Sequence, residues 1–357
     1  SKLVPTKSIA SVIQKNLYHL QLLNKRIYII LNKLLFISSI KLLLTIRQRI
    51  IMKKILVTGA GGFIGGHLVK ELLNRGYKVR AVDIKEYSDW YQYHDNVENF
   101  VLDMSDKNNC FKMAKGVDEV INMACNMGGM GFIENNKALC MLSVLVNTHM
   151  LMACKEFKIK KYFFSSSACA YNKDLQNDPS ITGLKESDAY PANPEDGYGW
   201  EKLFSERMCR HFLEDYELDV KVARYHNIYG PNGTYDGGRE KAPAALSRKV
   251  IEAEKAKSDE IKVWGDGKQT RTFLYIDDCV EATLNLFNSK YNEPINIGSE
   301  ELVSINEMIE MLEKISNKKF KKNYELDKPK GVRGRKSDNK LIKKVLNWEP
   351  KYKLFDG

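Results

Sequence analysis

The sequence predicts an α/β fold, a doubly wound parallel sheet followed by a smaller C-terminal α/β domain. Three observations carry this. The run "ILVTG" at 55–59 breaks into glycines, then a helical stretch, then a second apolar run ending at Asp83. Comparable runs recur at "VENFVLD", "VDEVINMAC", "IKKYFFSSS" and "DVKVARY", with helical spacing between them. The most apolar of these are short and rich in β-branched and aromatic residues, the pattern of strands covered on both faces.

Ahead of these runs lies a leader, 1–51, with nine Lys/Arg and no Asp or Glu. The whole chain of 357 residues carries a formal charge of +11, but without the leader 47 basic residues face 45 acidic ones. So nearly neutral a body excludes a nucleic-acid footprint. "IYIILNKLLFISSIKLLLTI" (27–46) has the apolarity of a membrane helix, yet Asn32, Lys33 and Lys41 interrupt it. Three readings remain for the leader: translation upstream of a true start at Met52, a targeting or anchoring segment, or a helix packed on the fold. The first is preferred, because Met52 opens "MKKILVTG" directly onto a strand. No membrane is expected for the body. A hydrophobic fraction of 43% with 28% charged residues is that of a globular protein. The seven cysteines include no CxxC pair and no metal-ligand spacing. They predict free thiols in a reducing, cytoplasmic setting, with no metal.

Residues 53–83 form a strand–turn–helix–strand unit with Gly59, Gly62 and Gly65 in GxxGxxG spacing. The glycines give a tight strand exit, close backbone approach to a pyrophosphate, and close helix-on-strand packing. Phe63 and Ile64 open the helix whose free amides receive phosphate. Asp83 stands eighteen residues beyond Gly65, where a carboxylate binds ribose hydroxyls and repels a 2′-phosphate. The unit therefore predicts a Rossmann-type site for NAD, a preference that Arg80 and Lys85 weaken slightly. Asp103, at the end of the next strand, is placed to face the adenine.

In a doubly wound sheet the ligand crevice lies at the carboxyl ends of the strands. "YFFSSSACAY" (162–171) therefore ends in that crevice and delivers Ser167 and Cys169 to it. Within "YGWEK", Tyr198 and Lys202 share one helix face at i, i+4. A tyrosine is a weak base at its ordinary pKa of about 10, but an adjacent ammonium and the nicotinamide charge favour its phenolate. It can then take a proton from a sugar hydroxyl while hydride leaves for NAD.

The glycine motif, the serine closing the strand and the Tyr/Lys pair together resemble the short-chain dehydrogenase/reductase superfamily, in its extended nucleotide-sugar branch. Dehydratases of that branch place Asp-Glu where this chain has "SAC" at 167–169, so water elimination is not expected. "MGGMGFI" (127–133), "LKESDAYPANPEDGYGWEK" (184–202), "YHNIYGPNGTYDGGREKAPAA" (225–245), "WGDGKQTRTF" (264–273) and "GVRGRKSDN" (331–339) closely resemble the GDP-mannose 3,5-epimerases. The resemblance runs from about Met52 to the end.

That resemblance implies a cycle on one bound NAD: oxidation at carbon 4, proton exchange at carbons 3 and 5, and re-reduction to GDP-L-galactose, with GDP-L-gulose as side product. It implies Tyr198 and Lys202 for the oxidation, Cys169 and Lys241 as the acid–base pair, and Ser167 at the carbon-4 oxygen. GDP-mannose would also meet Gly128, Ala168, Asn227, Glu240, Ala242, Lys249, Gln269, Thr270, Arg271 and Arg333. The basic members suit a diphosphate. A homodimer is implied as well.

The implied organisation is a cofactor domain over 52–225, with a return contribution from about 260–290. A substrate-binding domain takes 226–259 and 291–357. Three features depart from the family pattern: Asn126 in place of Asp, the small Ala170 after Cys169, and an end at "KYKLFDG" where relatives continue into a helix. Two alternatives stand. A UDP-sugar 4-epimerase or decarboxylase of the same branch would need neither Cys169 nor Lys241. A silent NAD-binding sensor or scaffold would have no use for Ser167, Tyr198 and Lys202.

Overall fold

The computed structural model describes residues 14–17, 20, 23, 25, 27–28, 30–39, 53–328 and 331–357. The described leader positions are helical and exposed, among them the apolar stretch Ile30–Ser39. The remainder of the leader, and with it the choice among its three readings, lies outside the described residues. Lys53–Gly357 forms a unit of its own.

That unit opens with β1 (Lys54–Thr58), α1 (Phe63–Asn74), β2 (Lys78–Asp83) and β3 (Glu98–Val101). Then come α2 (Lys107–Ala114), β4 (Glu119–Asn122), α3 (Met130–Asn135), α4 (Lys137–Met141) and α5 (Val144–Glu156). β5 (Lys161–Ser167), α6 (Asp196–Tyr216) and β6 (Asp219–Tyr225) complete the first alternation. Six of its strands and one later strand build a seven-stranded sheet with the order β3-β2-β1-β4-β5-β6 and β10 (Ile295–Ile297) at the far edge, every pairing parallel. The order reverses between β1 and β4, which is where such sheets open a ligand crevice.

Period-two alternation explains how one sheet feeds two cores. Ile55 and Val57 of β1 pack with α1, while Leu56 between them packs on the opposite face with α2 and α5. Helical residues 137–156 are long and apolar enough to cross a membrane by length and composition. Here Val146, Met150, Leu151 and Cys154 of that stretch are buried under the sheet.

The second part follows β6. β7 (Asn227–Tyr229), α7 (Ala242–Lys255), β8 (Glu260–Trp264) and β9 (Thr270–Tyr275) lead into α8 (Ile276–Asn288) and back to β10. β11 (Leu302–Ser304), α9 (Ile305–Ser316), β12 (Lys321–Glu325), β13 (Gly334–Arg335) and α10 (Lys340–Leu346) end the chain. A capping box starts α9, with Ser304 accepting the Glu307 amide and Glu307 accepting the Ser304 amide. β9 pairs with β7, β11 and β13, and β12 pairs with β8. The segment that returns to the large sheet runs through α8 and β10, whereas β8 and β9 belong to the smaller sheets.

Candidate functional site

The carboxyl ends of the large sheet open into a crevice of about 2070 Å³. Gly59, Gly62 and Gly65 line it at one end, and Ser167, Cys169, Tyr198, Asn227, Glu240 and Lys241 line it further along.

The dinucleotide end fits its expected cofactor. A Cβ on Gly65 would lie 2.1 Å from the Gly59 carbonyl oxygen, so only glycine lets α1 approach the strand exit this closely. Asp83 closes β2, largely buried, and accepts the Lys85 amide at 3.1 Å. Neither nearby cation is poised for a 2′-phosphate. Arg80 is held by Glu98 and by the carbonyls of Met113 and Lys115, each at 2.8 Å. The Lys85 ammonium donates to the Gly61 carbonyl at 3.0 Å and covers the Tyr91 ring. Asp103 lines the same end, exposed, and fixes its own turn by accepting the Ser105 amide.

At the chemical end, β5 finishes with Ser167, whose Oγ accepts the Cys169 amide at 3.2 Å and bends the chain into a single turn, Ala168–Ala170. The Glu195 amide, just ahead of α6, donates to the Cys169 carbonyl at 3.0 Å. A Cβ on Gly199 would lie 2.3 Å from that carbonyl, so Gly199 sets how near α6 comes. This contact brings Tyr198 and Cys169 into one small buried cluster with Ile133 and Cys140.

Burial drives the Tyr198 phenol well above its ordinary value, with the Ser167 side chain pulling the other way. The Lys202 ammonium lies 5.4 Å from the Tyr198 ring centre, as the i, i+4 spacing predicts, and 3.3 Å from the Glu201 carboxylate. Burial also raises the Cys169 thiol, and the largest opposing influence is Arg335, whose Nη1 donates to Sγ at 3.4 Å. Lys241 caps α7 from an extended backbone, and desolvation lowers its pKa. Cys169 and Lys241 each act electrostatically on the other.

The loop 126–131 is tied to the segment that carries Lys241. The Gly129 amide donates to the Arg239 carbonyl, and Arg239 Nη1 donates to the Met127 carbonyl, both at 3.1 Å. Gly128 lies within this loop. Ala242 follows Lys241 as the first residue of α7. Glu240 contacts Arg248 through Oε1 at 3.1 Å and leaves Oε2 buried with no partner.

Four other expected residues are gathered elsewhere, around β8 and β9. Lys249 donates to the Lys262 carbonyl at 2.8 Å, Gln269 to the Trp264 carbonyl at 3.1 Å, and Thr270 to the Pro179 carbonyl at 2.5 Å. Arg333 forms a two-pronged pair with Asp266 at 3.1 and 3.2 Å. Arg271 lies between the two groups: it donates to the Thr270 and Val332 carbonyls, and its charge acts on Cys169, Glu195 and Arg335. Arg335, rather than Arg333, lines the crevice. Sequence reading does not separate these arginines two positions apart, nor does it single out Glu195 or Glu201.

Residues 55–298 match the NAD dependent epimerase/dehydratase family. The chain is 45% identical over 305 residues to the GDP-mannose 3,5-epimerase of Arabidopsis thaliana, covering 85% of this chain and 80% of that one. It is 31% identical to the UDP-glucuronate 4-epimerase of Thermodesulfobacterium geofontis, covering 85% and 93%. Among solved structures it is similar to the UDP-glucuronic acid 4-epimerase of Bacillus cereus in complex with UDP-glucuronic acid and NAD. That likeness has a TM-score of 0.74 and 28% identity, and covers 85% of this chain and 96% of the other.

Proposed function

The chain belongs to the NAD dependent epimerase/dehydratase family, and on that premise we propose that it epimerises GDP-mannose at carbons 3 and 5 to GDP-L-galactose, with GDP-L-gulose as side product. One observation carries the reading beyond the family: Cys169, from the turn after β5, and Lys241, from the segment ahead of α7, line the same crevice as Tyr198. A 4-epimerase has no work for that pair.

NAD, held by the glycine turn at 59–65 and Asp83, would supply the hydride acceptor for carbon 4 and the hydride for its re-reduction. Tyr198 takes the proton of the carbon-4 hydroxyl, with Lys202 beside it and Ser167 holding the same oxygen. Oxidation at carbon 4 acidifies the hydrogens on carbons 3 and 5, which no side chain can remove from the unoxidised sugar. Cys169 and Lys241 then take a proton from one ring face and give one back on the other. Desolvation raises the thiol and lowers the amine, so burial favours the neutral form of each, a thiol able to give a proton and an amine able to take one. The unpartnered Glu240 Oε2 is an acceptor suited to a sugar hydroxyl. The family resemblance assigns the diphosphate to Arg271, Arg333 and Lys249; a phosphate oxygen is a stronger acceptor than the carbonyls that Lys249 and Arg271 contact, whereas Arg333 would exchange its pair with Asp266 for it.

The apolar face that α4, α5 and α6 leave to solvent supports a homodimer. Trp200 and Phe204 stand at i, i+4 on α6, and Met141, Leu145 and Met152 are spaced by four and seven residues alongside, all exposed. A cytoplasmic setting suits seven unpaired thiols, one of which the chemistry needs reduced.

The deciding experiment incubates GDP-mannose with the NAD-loaded protein in heavy water, followed by mass spectrometry and NMR. Deuterium at both carbons 3 and 5 is the expected result. Incorporation at neither carbon by folded protein overturns the reading.

A further inference from the structure

Cys169 is held in a network that its own segment does not supply. Arg335, on β13, reaches three buried partners at once: Nε donates to Gln176 Oε1 at 2.7 Å, Nη2 to Glu195 Oε2 at 2.5 Å, and Nη1 to Cys169 Sγ at 3.4 Å. Arg335, Glu195 and Cys169 are each no more than 6% exposed, and Gln176 is fully buried. A guanidinium is a rigid planar fork, so fixing two edges fixes where the third points. With Gln176 holding Nε and Glu195 holding Nη2, the third nitrogen, Nη1, is brought to the sulfur.

We propose that Glu195 is a positioning residue for the Cys169 thiol, acting through Arg335: it anchors the guanidinium that donates to Sγ and offsets that cation's charge. The inference rests on the proton-carrying role of Cys169 argued above. It adds a carboxylate and an arginine from separate elements to a residue otherwise read from one strand end.

The charge balance at the sulfur gives the proposal its sign. Cys169 is faced by Tyr198 and Glu195 at the start of α6, Ser167 at the end of β5, Lys241 ahead of α7 and Arg335 on β13. Arg271 on β9 acts on the same cluster. Arg335 and Lys241 favour the thiolate, while burial and Glu195 favour the thiol. Glu195 is therefore the one carboxylate among the influences named, and it reaches the sulfur both through the guanidinium it anchors and by its own charge. In the absence of its charge, an amide at this position would still accept from Nη2 but would leave the arginine's field uncompensated.

The test measures alkylation of Cys169 by iodoacetamide in the NAD-loaded protein, followed by peptide mass across pH, with no nucleotide sugar present. Below the thiol pKa the rate tracks the thiolate fraction. Glu195→Gln is expected to speed alkylation about tenfold between pH 7 and 8.5, with the difference from wild type closing once both thiols are ionised. Gln176→Glu places a second carboxylate on the same guanidinium and is expected to slow it several-fold; Glu195→Asp is expected to return the rate toward wild type. Should Glu195→Gln not fold, Gln176→Glu decides by its opposite sign. Rates within twofold of wild type in the folded variants overturn the proposal, and so does an acceleration that persists unchanged at high pH, which reports access rather than ionisation. Failure of deuterium uptake from heavy water would remove the epimerase reading and leave this thiol measurement standing.

Discussion

The Lys202 ammonium stands 3.3 Å from the Glu201 carboxylate, and both side chains are withdrawn from water. The cation expected to favour the Tyr198 phenolate is thus shared with an anion on the preceding residue. Burial is the main cause of the high Tyr198 pKa, and Glu201 adds to it. Glu201→Gln removes that addition, so the tyrosine ionises more readily. The acid limb of the kcat/KM profile is expected to move to lower pH by about one unit, roughly 1.4 kcal/mol. An unmoved limb with uniformly slower turnover would reduce Glu201 to a packing role.

Cys169→Ser and Lys241→Met separate proton exchange from hydride transfer. Each leaves Tyr198, Lys202 and the glycine turn in place, so NAD content is expected to stay at the wild-type level. Loss of a positioned acid or base costs about 10²–10⁴-fold. Deuterium uptake from heavy water at carbon 3, carbon 5 or both is expected to fall by that factor in each variant, read by NMR of the recovered nucleotide sugar. Wild-type exchange in Cys169→Ser would remove the thiol as a proton carrier.

Asp83 is expected to govern the choice of dinucleotide. It is largely buried at the end of β2, and Arg80 and Lys85 are engaged with Glu98 and with backbone carbonyls. The site therefore presents a carboxylate to a 2′-phosphate, with both of the neighbouring cations, Arg80 and Lys85, already engaged. Asp83→Asn is expected to weaken NAD binding by about tenfold while narrowing its lead over NADP, since the repulsion goes with the charge. Calorimetric titration of apo protein with each dinucleotide measures both. An unchanged NAD/NADP ratio would place the discrimination elsewhere.

What the sequence discloses of this site is what short-range pattern can encode. The GxxGxxG turn, the Asp83 strand end, the Tyr198/Lys202 pair and the SAC turn each lie within a few residues, and each recurs in the structure as a local unit. The network around Cys169 does not. Arg335 is 166 residues from Cys169 and 140 from Glu195, and only the docking of β13 beside β9 brings them together. "GVRGR" offers two arginines of equal standing by composition, and their different fates, Arg333 on Asp266 and Arg335 on the sulfur, are set by tertiary placement. The return segment into the large sheet is hard to read for a similar reason. β8, β9 and β10 are short strands of similar character, and their sheet membership depends on pairings far along the chain.

Ser166 has a structural explanation that its neighbours Ser167 and Cys169 do not share. Its Oγ donates to Glu206 Oε1, and Glu206 takes a two-pronged pair from Arg224 at 2.9 and 2.7 Å, with all three side chains buried. Arg224 also donates to the Glu186 carbonyl at 2.7 Å, so this clamp joins β5, β6 and α6 behind the reacting residues. Removing one partner of a buried ion pair strands the other charge, which costs about 3–5 kcal/mol. Glu206→Ala is therefore expected to lower the midpoint of thermal unfolding by several degrees. Ser166→Ala leaves the ion pair intact and is expected to cost about 1 kcal/mol, the scale of one hydrogen bond. Differential scanning calorimetry of the two variants checks the order, and a Ser166→Ala loss as large as that of Glu206→Ala would overturn the assignment of Ser166 to the clamp rather than to the chemistry.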